Sequence, residues 1–122
     1  MDDAYRSFYS KALLKHAPDN QLNSVADGLK TTLGPNTWPI VRDLVNDIMI
    51  VSEKEILQAT KLIWERLKVM IEPSAGVGIA VALSQAFANK YPAKDYPRVG
   101  VVLCGGNVDV LKIATKMQNL GL

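Results

Sequence analysis

The sequence predicts an α/β fold with a parallel sheet, and three observations carry that expectation. Val99, Val101, Val102 and Leu103 make a β-branched apolar run of the kind that forms a strand buried on both faces. Asp47 to Val51 is a second short apolar run, read as another strand. Around them lie segments with helical spacing, in the order helix, strand, helix, helix, strand, helix, and strands separated by helices imply parallel pairing. Two parallel strands leave the faces and edges of a sheet poorly covered, so the pattern reads as part of a larger fold.

The chain has 122 residues of which 48% are hydrophobic, room for one small domain over 1–122 with a real core and no internal boundary. Fourteen basic and twelve acidic residues give a net charge of +2 and are scattered along the chain. That distribution argues against nucleic acid or an anionic membrane as a partner. One cysteine makes no internal disulfide, and one histidine without a CxxC partner builds no zinc site, which points to a reducing cytoplasm. The amino end, Met1-Asp2-Asp3-Ala4-Tyr5-Arg6, has neither an apolar signal core nor an Arg-rich start. Val77 to Ala88 is apolar but too short to span a bilayer, and the protein is expected to be soluble.

Taken in order, residues 1 to 21 read as a helical turn followed by a loop, with His16 on the surface and Asp2 and Asp3 suited to either a helix cap or a cation. Glycines and a proline break Val25 to Asn36. Thr37-Trp38-Pro39 then opens a helix whose apolar face is Ile40, Val41, Leu44 and Val45. Ser52 to Glu55 is a capping box that launches a helix to about Ile71, with Ile56, Ile63, Leu67 and Met70 on one face. Glu72-Pro73 stops it, and Ser74 caps a further helix, Ala75 to Asn89. There the small residues Ala75, Gly76, Gly78, Ala80 and Ala82 let the backbone lie close against a sheet. Gly76-x-Gly78 is not read as a dinucleotide fingerprint, because Val81 occupies the third glycine position and a helix precedes it. Val108 to Leu120 reads as a closing helix.

The candidate site lies where the run 99–103 ends, at Cys104-Gly105-Gly106-Asn107. Two glycines after a buried strand let the backbone turn sharply and approach a ligand, and the carboxyl ends of strands are where α/β sheets bind ligands. The plain alternative is a simple turn beside a small buried thiol.

Several stretches carry a family resemblance: DDAY at 2–5, ADGLKTTLG at 26–34, NTWPIVRDLV at 36–45, WERLK at 64–68, IEPSAGVG at 71–78 and LCGGNVD at 103–109. In this order they resemble the carboxyl-terminal third of the serine racemase and serine/threonine dehydratase family of pyridoxal-phosphate enzymes, of tryptophan-synthase-β-like fold. The resemblance implies a parallel-sheet, three-layer segment from the carboxyl-terminal part of the large domain of a fold-type II enzyme. The implied activity is interconversion of L- and D-serine, with β-elimination of serine to pyruvate and ammonia. Threonine/serine dehydratase is the alternative within the class, and a truncated, non-catalytic interaction module pairing with a full-length relative, or an unrelated small α/β binding domain, is the alternative outside it.

Residue by residue, the resemblance places Cys104 against the pyridine nitrogen of pyridoxal phosphate, with Glu72, Gly105 and Gly106 close to the cofactor pocket. Most racemases of this kind carry Ser at the Cys104 position, so the chain departs toward the pattern of some serine dehydratases. A hydroxyl or thiol, unlike a carboxylate, leaves the ring nitrogen largely unprotonated and the cofactor a weaker electron sink, which suits elimination as well as racemisation. Asp3 matches an acidic ligand of a Mg²⁺ or Ca²⁺ site, Met1 falls where a backbone carbonyl serves, and Asn36 lies near a second cation position. One carboxylate and one carbonyl are too few for tight binding. Lys68 and Asn107 match positions that contact an activating ATP, and the complete enzyme implied is a homodimer acting on serine and possibly threonine. The family's Schiff-base lysine and glycine-rich phosphate loop are expected upstream of the matched part. Lys11, Lys15 and Lys30 are read as ordinary exposed lysines, and the 122-residue chain alone is expected to be inactive.

Overall fold

A computed structural model of the chain describes residues 2–15 and 23–122, and His16 and Met1 fall outside the described residues. Six α-helices are described: α1 (Asp3–Ser10), α2 (Trp38–Leu44), α3 (Glu53–Leu67), α4 (Pro73–Leu83), α5 (Gln85–Lys90) and α6 (Val110–Asn119), with a 3-10 turn at Asp27–Leu29. The chain divides into two compact units, one formed by residues up to 24 with 28–50, the other by 25–27 with 51–122.

In the first unit, α1 buries Asp3, Ser7 and Phe8. The buried polar groups are satisfied locally: Leu33 N–H donates to Asp3 Oδ2 at 3.3 Å and Leu14 N–H to Ser7 Oγ at 3.0 Å. Arg6 Nε donates to Asp2 Oδ1 at 2.9 Å, a one-turn ion pair at the helix start. Tyr9 O–H donates to Asp47 Oδ1 at 2.5 Å and stacks obliquely on Tyr5, with ring centres 4.7 Å apart. In α2, Trp38 is the buried residue. The apolar face expected there is instead open, with Ile40 58% and Leu44 76% exposed.

The second unit is organised by the pair α3 and α4. The capping box forms as expected: Glu55 N–H donates to Ser52 Oγ at 3.3 Å, and Glu55 Oε2 accepts from Ser52 N–H at 2.7 Å. Hydrogen bonds from Ser52 hold the Glu55 carboxyl below its ordinary value of 4.5. Ile56, Leu57, Ile113 and Met117 make the main core with Val25 and Ala26; Ile63, Ile71 and Ala75 make a second cluster, and Trp64 packs against both. Thr60, fully buried, donates its hydroxyl to Ile56 O at 2.8 Å. A Cβ on Gly76 would overlap Thr60 Oγ1 and lie 3.2 Å from Ile56 O, so α4 crosses α3 at a point where only a missing side chain fits.

Three boundaries differ from expectation. Helix α3 ends at Leu67 and not near Ile71, because Lys68 adopts a left-handed conformation (φ 58°) and its Nζ donates to Glu65 O at 2.6 Å. That turn redirects the chain so that Ile71 enters the second cluster and its carbonyl accepts from Trp64 Nε1 at 2.9 Å. The helix expected over 75–89 is two, because Ser84 leaves helical geometry (ψ 146°) and its Oγ accepts from Phe87 N–H at 3.1 Å, so it caps a new start. Glu72, and not Ser74, stands at the N-cap of α4, with Pro73 in the first turn where its absent N–H costs nothing.

The larger correction concerns the sheet. No strand occurs among the described residues, so neither 47–51 nor 99–103 is one here, and the three-layer sheet is not formed. A strand exists by ladder hydrogen bonds to a neighbour, and no backbone–backbone bond links the 99–103 run to another described segment. Nor is the 99–103 run buried on both faces: Val99, Val102 and Leu103 are 53%, 80% and 37% exposed.

Candidate cofactor site

Residues 103–107 leave the apolar run in a turn that the backbone itself determines. Gly105 sits at φ +101°, a region that strains any residue with a Cβ. Its carbonyl accepts from Glu72 N–H at 3.2 Å, and a Cβ at this position would lie 3.0 Å from the Glu72 carboxylate. A Cβ on Gly106 would come within 2.5 Å of Met70 O. The two glycines therefore let the turn press directly on residues 70–72, the link that feeds the N-terminus of α4. Cys104 is exposed on this turn, and Asn107 beyond it is exposed too.

The structure thus brings Gly105 and Gly106, with Cys104 beside them, against the segment that holds Glu72, though the two stretches lie more than a full helix apart in sequence. It leaves Lys68 exposed at the C-cap of α3. In the other unit, Asp3 is buried and Asn36 is exposed in the turn that precedes α2; Met1 lies outside the described residues. Among the described residues no three His, Cys, Asp or Glu side chains gather to hold a metal ion. Nor, among them, is any helix long and apolar enough to cross a membrane. Sequence reasoning missed the Met70 carbonyl under Gly106, and no side-chain signal marks it, because the contact is between backbones.

What this turn offers a ligand is an exposed thiol on a glycine corner, with a half-buried carboxylate beneath. An exposed thiol can make one hydrogen bond to a heteroaromatic nitrogen, while the space that side chains at Gly105 and Gly106 would take is filled by Glu72 and Met70. The described residues include no glycine-rich loop leading from a strand into a helix, the usual cradle for a phosphate, so what they offer such a ligand is the thiol alone.

A protein family described as pyridoxal-phosphate dependent enzyme matches residues 2–105. Serine racemase of Rattus norvegicus is 46% identical over 119 residues, which are 96% of this chain and 34% of that protein. Among solved structures, serine racemase from Dictyostelium discoideum is similar with a TM-score of 0.78 at 43% identity, covering 89% of this chain and 33% of that one. A threonine deaminase from T.th. gives a TM-score of 0.68 at 33% identity, covering 88% of this chain and 37% of that one. The chain spans about a third of the length of the curated relatives it matches. With 104 of its residues matched and its fold shared at that level, the chain belongs to the pyridoxal-phosphate dependent enzyme family.

Proposed function

We propose that this chain forms the carboxyl-terminal part of a cytoplasmic, homodimeric pyridoxal-phosphate enzyme that interconverts L- and D-serine and also eliminates the β-hydroxyl of serine to give pyruvate and ammonia. The observation that carries the reading is the Cys104-Gly105-Gly106 turn held against Glu72, in a chain 46% identical to rat serine racemase. Pyridoxal phosphate, when bound, supplies a ring that draws electrons from the substrate α-carbon and so acidifies its proton. In this reading the Cys104 thiol hydrogen-bonds the ring nitrogen without protonating it. Gly105 and Gly106 shape the turn that carries Cys104 to the ring, and Glu72 fixes that turn from below.

The same reading gives Asp3, the Met1 carbonyl and Asn36 to a Mg²⁺ or Ca²⁺ site, and Lys68 and Asn107 to an activating ATP. Support for the first is a buried carboxylate, a ligand type that hard cations prefer. Support for the second is an exposed ammonium that suits a phosphate. A threonine/serine dehydratase is the second reading, favoured by Cys at position 104 and by the likeness to a threonine deaminase.

The test grafts residues 2–122 onto Dictyostelium serine racemase in place of its matching third. The chimera should retain pyridoxal phosphate through dialysis, seen as an absorbance band near the visible edge, and form D-serine and pyruvate from L-serine. Cys104→Ser should keep turnover within about tenfold, or ~1.4 kcal/mol in barrier. Cys104→Ala, which leaves the ring nitrogen unpaired at about 1–3 kcal/mol, should lose more of both turnover and cofactor. Retained cofactor without either product would overturn the racemase reading, and preference for L-threonine would install the dehydratase.

A further inference from the structure

The link between α3 and α4 is held from both sides, and the turn that carries Cys104 touches only one of them. After Lys68 the chain leaves helical geometry, and Glu72 is extended at ψ 158°. On extended backbone the carbonyl of one residue and the N–H two residues on face the same way, and the carbonyl between them faces the other. The partners found here alternate in that manner. Met70 O lies 2.5 Å from where a Cβ on Gly106 would stand, and Glu72 N–H donates to Gly105 O at 3.2 Å. Between them, Ile71 O turns the opposite way and accepts from Trp64 Nε1 at 2.9 Å.

That indole bond is, among the described residues, the one hydrogen bond to the main chain of 69–71. Val69 and Met70 are exposed, so the link is anchored at Ile71 alone: by its side chain, buried with Ile63 and Ala75, and by its carbonyl on Trp64. The bond from Glu72 to Gly105 stands at the long end of the hydrogen-bond range, and a shift of a few tenths of an ångström in the link breaks it. We infer that Trp64 is a positioning residue for the Cys104 turn: its indole N–H, through the Ile71 carbonyl, sets where residues 70–72 stand and hence where the thiol is presented. Its link to catalysis rests on the proposed role of Cys104 at the cofactor ring.

The first measurement needs no cofactor. Trp64→Phe keeps an aromatic ring between the two clusters but removes the donor, leaving the carbonyl of a buried residue unpaired. Amide exchange of Glu72 in the 122-residue chain should then quicken at least about tenfold relative to the amides of Leu57 and Ile113, which report opening of the core. Ile63→Val, which thins the same cluster and keeps the donor, should quicken all three amides together. An unchanged ratio in Trp64→Phe, or the same ratio change in Ile63→Val, would overturn the inference. The second measurement uses the chimera loaded with pyridoxal phosphate. Trp64→Phe should displace the absorbance band in the direction that Cys104→Ala does, the double variant should move it no further than Cys104→Ala alone, and Ile63→Val should leave it in place. Additive displacements would overturn the path from Trp64 through the turn to Cys104. A chimera that never retains the cofactor removes the proposed function instead, and the exchange ratio then decides the role of Trp64 by itself.

Discussion

The α3/α4 pair and the 99–103 run are made of the same apolar residue types and belong to the same compact unit, yet they meet water very differently. Leu57 is 1% exposed and Ile71 2%, while Val102 is 80% exposed. The difference lies in where each element finds its hydrogen bonds. A helix satisfies its backbone within itself and needs a neighbour only for its apolar stripe, which α3 obtains from α4 and α6 in the same chain. A strand needs neighbours for its backbone as well as its faces, so a run like 99–103 stays unformed until other strands arrive.

That contrast predicts a large effect where the unit is closed. Leu57→Ala removes a side chain buried in the main core among Ile56, Ile113 and Met117, and should cost about 2–5 kcal/mol, the lost transfer energy plus the cavity left behind. Urea titration of the isolated chain, followed by far-UV circular dichroism, measures it. A midpoint unchanged from the parent would mean that the α3/α4/α6 core does not govern stability.

The same division explains how much of the molecule was legible in its sequence. Features set by neighbouring residues were readable: the Ser52 to Glu55 capping box, the opening of α2 at Thr37-Trp38-Pro39, and the closing helix, expected from Val108 and found from Val110 after an Asp109 cap that the sequence reading did not name. Features set by competition between two local options were missed, as at Ser84, where capping a new helix won over continuing the old one, and at Lys68, where a left-handed turn ended α3 early. Features that need distant partners were illegible. Spacing alone gives no hint that Gly105 would rest on Glu72, and the strand expected at 99–103 failed because its ladder is wholly non-local. The glycines of α4 were readable as small but not as to purpose: Gly76 admits Thr60 of α3 and Gly78 admits Val101.

A smaller effect is expected at the entrance to α3, where stabilisation is local and exposed. Ser52→Ala removes the cap acceptor and the hydroxyl that donates to Glu55 Oε2 at 2.6 Å, and should cost about 1 kcal/mol. Its pH signature has a definite sign. The Glu55 carboxyl is held below its ordinary 4.5 by these hydrogen bonds, so the stabilisation is present above about that value and is lost as pH falls through the depressed folded-state value. The parent should therefore lose stability on acidification below pH ~4.5 more steeply than Ser52→Ala. Asp43, lowered by its hydrogen bond from Arg42, is unaltered in both proteins and cancels from the difference. Equal slopes would show that the capping box is not closed in solution.

The smallest effect is expected where the sequence is most apolar. Val102→Ser replaces a side chain that is 80% exposed and has no ladder to support, so in the free chain it should change unfolding free energy by less than about 0.5 kcal/mol. The same substitution in the covalent chimera meets a different environment, because a strand between neighbours buries both faces. There it places an unsatisfied hydroxyl in an apolar layer, and should cost about 1–3 kcal/mol. The quantity that matters is the gap between the two measurements, since each protein serves as the other's control for intrinsic β-propensity and for effects on the unfolded chain. A gap near zero would mean that the contrast between Leu57 and Val102 is a property of the two positions themselves and not of the missing neighbours. A gap of the expected size would locate the boundary of the folding unit at the face of the 99–103 run that turns away from α4.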